Sequence, residues 1–119
     1  MYTIRVEATF SATHSLKMPD GSDEPIHGHD WRVSVFIAGR ELDPLGMVVD
    51  FEKVQSALRT VLEPLHHSDL NQLEPFANLN PTAEIVARHL FDEIGKLLPR
   101  AIQRVELVEA PGCVAIYEK

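Results

Sequence analysis

The chain has 119 residues, 45% of them hydrophobic and 24% charged, which suits one globular domain with its own core. Its formal charge of −7 argues against a nucleic-acid partner, because phosphate binding needs a basic stripe, and no Lys/Arg cluster marks a membrane-facing surface. No apolar run approaches the roughly 20 residues needed to span a bilayer, and polar and apolar residues alternate from the start, unlike a signal peptide. The single cysteine, Cys113, excludes an intrachain disulfide framework and a thiolate zinc finger. The expectation is one domain over residues 1–119, cytoplasmic in location.

In chain order, Tyr2, Ile4, Val6, Ala8 and Phe10 alternate with Thr3, Arg5, Glu7 and Thr9. That predicts a half-buried strand, whose even parity continues through Ala12 to His14. A polar loop with Pro and Gly follows from Lys17 to Pro25. Trp31, Val33, Val35 and Ile37 then mark a second strand ending near Gly39, and the two strands read as a long hairpin. After a turn at 43–46, Asp50 is placed to cap a helix with the apolar stripe Phe51, Val54, Leu58, Val61, Leu62 and Leu65. A second polar, Asn-rich loop runs from about His66 to Asn80. Pro81 then suits the first position of another helix, with Glu84 in its first turn, an apolar face of Val86, Leu90, Ile94 and Leu97, and Pro99 as its stop. Ile102 to Glu109 and Cys113 to Tyr117 complete the chain as two strands. The order β-β-α-α-β-β predicts an α+β fold, a four-stranded antiparallel sheet with two helices on one face. Two open sheet edges would invite edge-to-edge assembly.

Of six histidines, three fall where strand parity lets them converge. His14 shares the face of Phe10 and Ala12; His27 and His29, in "EPIHGHDW", share the face of Trp31 and Val33. Three imidazoles are the ligand set of a catalytic zinc site that keeps a fourth position open, and the absence of nearby cysteines argues against a structural thiolate site. The competing reading is a hydrogen-bonded His-x-His pair at a strand start. Gly28 would fit a close backbone approach, and Asp30 either orients a ligand or is solvated.

Glu109 continues the Val105 and Leu107 parity, which puts a carboxylate on an apolar face near a sheet end. It either leans to solvent or is buried against a bidentate N–H pair such as a heterocycle offers. In "LHHSDLN", His66, His67 and Asp69 are either a polar loop end or a proton relay. Cys113 reads as a small buried filler, and His89, on the polar side of its helix, has no role.

Taken in order, the upstream strand histidine, "HGH", "GMVVDF", "LHHSDLN", "NPTAE" and "VEAPGCVAIY" resemble the 6-pyruvoyltetrahydropterin synthase / 6-carboxytetrahydropterin synthase family over essentially the whole chain. The resemblance implies the tunnelling fold, in which three subunits close their sheets into a twelve-stranded barrel and two trimers stack into a homohexamer. It also implies that His14, His27 and His29 bind Zn2+, that Glu109 anchors a pterin ring, and that Thr82 lies in the segment lining the pterin pocket. His67 matches the catalytic histidine, often reached across a subunit interface.

Two positions depart from the family pattern. The usual catalytic cysteine, four residues before the first His of "HGH", is Asp23 here, and the aspartate that usually precedes the catalytic histidine is His66. Asp69 is a candidate for the orienting role that aspartate would have had. One branch of the family lacks the cysteine and carries Glu-x-x-His-Gly-His, which "EPIHGH" matches with Glu24 as the glutamate. That branch implies a carbon–carbon lyase that cleaves the side chain of a dihydroneopterin to leave 6-hydroxymethyl-7,8-dihydropterin for folate synthesis. Two alternatives stand beside it: 6-carboxytetrahydropterin synthase, acting on dihydroneopterin triphosphate in queuosine and deazapurine synthesis, and a non-catalytic zinc-containing pterin-binding module.

Overall fold

A computed structural model describes all 119 residues. Two 13-residue strands, β1 (Tyr2–His14) and β2 (His27–Gly39), pair antiparallel along their whole length, from Tyr2 opposite Gly39 to His14 opposite His27. Their alternation sets the register: Val6 faces Val35, Phe10 faces Trp31 and Ala12 faces His29, so the buried faces coincide. Helix α1 (Phe51–Leu62) follows, then a two-residue strand β3 (Ser68–Asp69) and two short 3₁₀ turns, then α2 (Ala83–Gly95), β4 (Arg104–Ala110) and β5 (Cys113–Glu118).

The sheet order is β3-β1-β2-β4-β5, and the two helices cover one face. The α+β class is as expected, but the sheet has five strands and is mixed rather than four-stranded and antiparallel. β3 runs parallel to β1, with Ala12 opposite Ser68 and Thr13 opposite Asp69. Two residues carry no periodicity to read, which is why the sequence gives no sign of this strand.

Twenty-six apolar residues form one buried cluster. Trp31, Val33, Val35 and Ile37 of β2 are fully buried beneath Val54 and Leu58 of α1 and Val86, Leu90 and Ile94 of α2. Each such side chain contributes about 1.5–3 kcal/mol relative to exposure. Asp50 caps α1 as expected, its carboxylate accepting from Glu52 N–H at 2.9 Å.

Several boundaries shift. Thr82 caps α2, its hydroxyl accepting from Ile85 N–H at 3.2 Å, so Pro81 precedes the cap instead of opening the helix. Leu97 lies past the helix end and is exposed, as is Phe51 at the start of α1. Cys113 is exposed beside the β4–β5 turn rather than buried. His89 is half-buried, its ring edge-on to Phe76 at 5.0 Å, so it packs instead of facing solvent. No helix is long and apolar enough to cross a membrane.

Candidate active site

The hairpin register puts His14 directly opposite His27, and strand alternation puts His29 on the same face. The three rings pack edge to edge, with centroids 4.6 Å (His14–His27), 5.2 Å (His14–His29) and 4.8 Å (His27–His29) apart. Trp31 meets His14 and His29 edge-on and walls the group from the core.

Two backbone carbonyls orient these rings. His14 Nδ1 donates to Pro81 O at 2.8 Å, and His27 Nδ1 donates to Pro25 O at 3.1 Å. A carbonyl only accepts, so Nδ1 carries the proton in both rings and Nε2 keeps a free lone pair. The Nε2 atoms of His14 and His29 are buried and have no hydrogen-bond partner. Burial, which dominates, and the neighbouring imidazoles hold His29 below the usual histidine range, against an opposing pull from Glu109. Buried nitrogens without partners are costly unless something outside the chain uses them, and a metal ion fits that donor set.

Glu109 joins this group. The β4–β5 register slips between Val108 and Ala110, so Glu109 is the extra residue of a bulge, a device that re-aims a side chain. Its Oε1 lies 3.3 Å from His29 Nε2 and 3.9 Å from His14 Nε2, and one donor atom from each of the four residues falls within 4.8 Å of the others. The carboxylate also borders a cavity of about 500 Å³ with Glu84 and Cys113.

Glu24 reaches the same end of the hairpin through the 17–25 loop. Its N–H donates to Leu16 O at 2.9 Å, its Oε1 accepts from Leu16 N–H at 3.1 Å, and the Ser15 hydroxyl donates to its carbonyl. That fixes Oε1 at 3.5 Å from His27 Nδ1. Asp23 points elsewhere, ion-paired to Lys17 Nζ at 3.3 Å in solvent.

The remaining candidates make no hydrogen bond or ion pair with this cluster. His66 and His67 follow α1, and His67 lines a polar cleft of about 500 Å³ together with Ser11, Thr13, Asp30, Asp69 and His29 of the cluster. Asp69 caps the first 3₁₀ turn by accepting from Asn71 N–H at 3.2 Å. Asp30 accepts from the Ser11 hydroxyl at 2.6 Å and makes no hydrogen bond to His14, His27 or His29. A Cβ on Gly28 would meet Thr13 Cγ2 at an ordinary 3.5 Å, so no close backbone approach requires glycine there.

Reading the sequence alone leaves out Asn71 and Asn80. The amide of Asn71 bonds both Ser15 N–H and Ser15 O, and that of Asn80 bonds both Lys17 N–H and Lys17 O, at 2.8–3.2 Å. Together they extend the β1 ladder by side chains where no strand is available, and hold the segment from which Glu24 hangs. The Asn-rich character of the 66–80 loop, with Asn71, Asn78 and Asn80, is the only signal in the sequence.

Comparison with known proteins agrees with this layout. A family model described as 6-pyruvoyl tetrahydropterin synthase matches residues 3–119. The chain belongs to the 6-pyruvoyl tetrahydropterin synthase family. It is 31% identical to a 6-pyruvoyl tetrahydrobiopterin synthase of Pongo abelii, covering 92% of this chain and 86% of that one. It is also 32% identical to a 6-carboxy-5,6,7,8-tetrahydropterin synthase of Synechocystis, covering 98% and 93%. The Caenorhabditis elegans 6-pyruvoyl tetrahydropterin synthase structure superposes with a TM-score of 0.89 at 27% identity, covering 99% of this chain and 95% of that one. A Plasmodium vivax 6-pyruvoyltetrahydropterin synthase, at 16% identity and a TM-score of 0.82 over 99% and 97% of the two chains, shares the fold. Membership makes this synthase-family chain an enzyme of pterin chemistry.

Proposed function

We propose that this chain is a zinc-dependent lyase that cleaves the side chain of 7,8-dihydroneopterin to leave 6-hydroxymethyl-7,8-dihydropterin. The observation that carries the reading is the Glu24 carboxylate, held 3.5 Å from His27 at the edge of the histidine cluster. Asp23, at the position of the family's usual cysteine, is turned to Lys17, and Cys113 lies on the β5 side of a different turn. The Plasmodium vivax structure is of a variant whose replaced catalytic residue is a glutamate, so a catalytic carboxylate is compatible with this fold.

His14, His27 and His29 would hold the zinc, leaving a coordination position for substrate. Bound there, zinc supplies Lewis acidity toward the oxygens of the substrate side chain. Glu24 takes the hydroxyl proton from the second side-chain carbon. The bond between the first and second carbons then breaks, a two-carbon aldehyde leaves, and the electron pair passes into the pterin ring. His67 returns a proton to the first carbon. His67 makes no hydrogen bond to the cluster of its own chain and would serve that of a neighbouring copy, in keeping with a hexamer of two trimers. Glu109 anchors the ring N–H groups from the cavity that Ala83 and Glu84 of α2 also line, and Thr82 caps that helix.

The carboxylates Glu24, Glu84 and Glu109 gather at this end, while Lys17 is paired with Asp23. That supports an uncharged side chain over a triphosphate. The likeness to the Synechocystis enzyme favours a second reading, 6-carboxytetrahydropterin synthesis from dihydroneopterin triphosphate.

Incubating the zinc-loaded protein with each pterin and resolving products by mass spectrometry decides between them. The expected product is 6-hydroxymethyl-7,8-dihydropterin from 7,8-dihydroneopterin, lost in Glu24→Ala. Formation of 6-carboxytetrahydropterin would transfer the chain to the second reading. Full cleavage by Glu24→Ala would remove Glu24 as the base. Tight pterin binding with no product would make the chain a binding module.

A further inference from the structure

The family position usually held by an aspartate is His66, and its geometry gives it a specific use. Ser11 N–H donates to His66 Nδ1 at 3.1 Å, while His67 N–H donates to Ser11 O at 2.6 Å. One residue of strand β1 therefore grips both histidines through its backbone. A backbone amide only donates, so Nδ1 is the lone-pair nitrogen of His66 and its proton sits on Nε2. The pinned ring lies against the His67 ring, with centroids 3.7 Å apart and planes 29° apart.

This arrangement does not serve the core. Both residues are exposed, so the stack buries little, yet His67 holds a left-handed φ of 60°, which side chains other than glycine adopt at a cost. Backbone strain at an exposed polar residue is a pattern found at functional sites. Asp69, the carboxylate nearest in sequence, is occupied by Asn71 N–H. The His67 ring makes no hydrogen bond to Asp69 and stacks on His66.

We propose that His66 is a positioning residue: pinned to Ser11, its imidazole stacks on His67 and sets the direction in which the His67 ring presents its nitrogens. The role rests on His67 acting as the acid in the lyase reading above. Two substitutions separate its parts. His66→Asn keeps an acceptor near the Nδ1 position but removes the ring, and His66→Phe keeps a ring but removes the acceptor.

The test combines steady-state kinetics on 7,8-dihydroneopterin with histidine NMR of the full chain. Each variant is expected to lower kcat about ten- to a hundredfold through misplacement of the acid, with KM and bound zinc within about twofold of the parent. In a His67→Ala background neither substitution should lower kcat further. Long-range proton–nitrogen spectra should show His66 as the Nε2–H tautomer, and His66→Asn should shift the His67 ring protons by removing the stacked ring.

An Nδ1–H tautomer at His66, or a loss of kcat that persists undiminished without His67, would overturn the proposal. So would His67 ring shifts unchanged in His66→Asn. If the parent turns over neither pterin, the lyase reading fails by itself; the tautomer and ring shifts then still decide whether His66 holds His67.

Discussion

The three histidines at the closed end of the hairpin and the two after α1 are both tight groups of imidazoles, held by opposite means. In the first group the rings meet at 63°, 77° and 85°, edge to edge, and two of the inward nitrogens are buried without partners. In the second the rings lie nearly face to face and in solvent. Edge-on rings converge their lone pairs on one point, which suits a shared ion. Stacked rings send their nitrogens outward and cannot share one, which suits orientation of a proton-transfer group. The same residue type thus yields two chemistries through the angle at which the backbone presents it.

The largest expected effect breaks the comparison at both ends. His14→Ala removes a ring that is fully buried and aligned by Pro81 O, and on the proposed zinc-site reading it should abolish both zinc binding and turnover. His67→Ala should lower kcat about a hundredfold or more while leaving zinc stoichiometry at the parent level. Metal analysis beside kinetics checks this. Loss of zinc from His67→Ala would show that the two groups are not separate devices.

The contrast also explains what the sequence made legible. His14, His27 and His29 sit on two long ladders, where a period of two residues and one register fix every side chain's face. Glu109 was readable by parity up to Leu107, but its approach to His29 depends on a bulge that no periodicity announces. His66 and His67 are placed by a turn with a left-handed residue and by a strand of two residues, neither of which has a pattern. Asn71 and Asn80 work through pairing with backbone 56 and 63 residues away, a contact visible only once the chain has folded.

A smaller effect sharpens the role of Glu109, which stands within reach of both the histidines and the open cavity. Glu109→Gln keeps the shape and removes the charge. If the carboxylate anchors a pterin, KM should rise about ten- to a hundredfold, the worth of a charge-assisted pair, with zinc affinity unchanged. A fall in zinc affinity with KM unmoved would instead make it a fourth ligand and close the site. Smaller again is the effect of the amide clamps. Asn71→Ala and Asn80→Ala each delete two hydrogen bonds to exposed backbone, and each should cost about 1–2 kcal/mol in a urea titration. A loss indistinguishable from zero would mean that water replaces the clamps and that the Glu24 loop does not depend on them.

His89 supplies the third environment, burial without convergence, and the smallest effect. Its ring packs on Phe76, and burial holds it below the usual histidine range, opposed by Glu93 and Asp92 and reinforced by Lys96. Unfolded, it returns to an ordinary value of about 6.5. Between the folded value and that one, the unfolded chain binds more protons, so stability rises with pH across this window. The neutral ring's contribution is complete above the unfolded value and is lost as pH falls toward the folded one. His89→Gln removes this titration, so the difference in urea midpoint between parent and variant should grow less favourable to the parent as pH drops below about 6.5. Using the difference cancels the contributions of every other group, which the two proteins share. Parallel curves would mean that His89 stays hydrated in the fold, and that burial alone, without a bound partner, does not distinguish one histidine here from another.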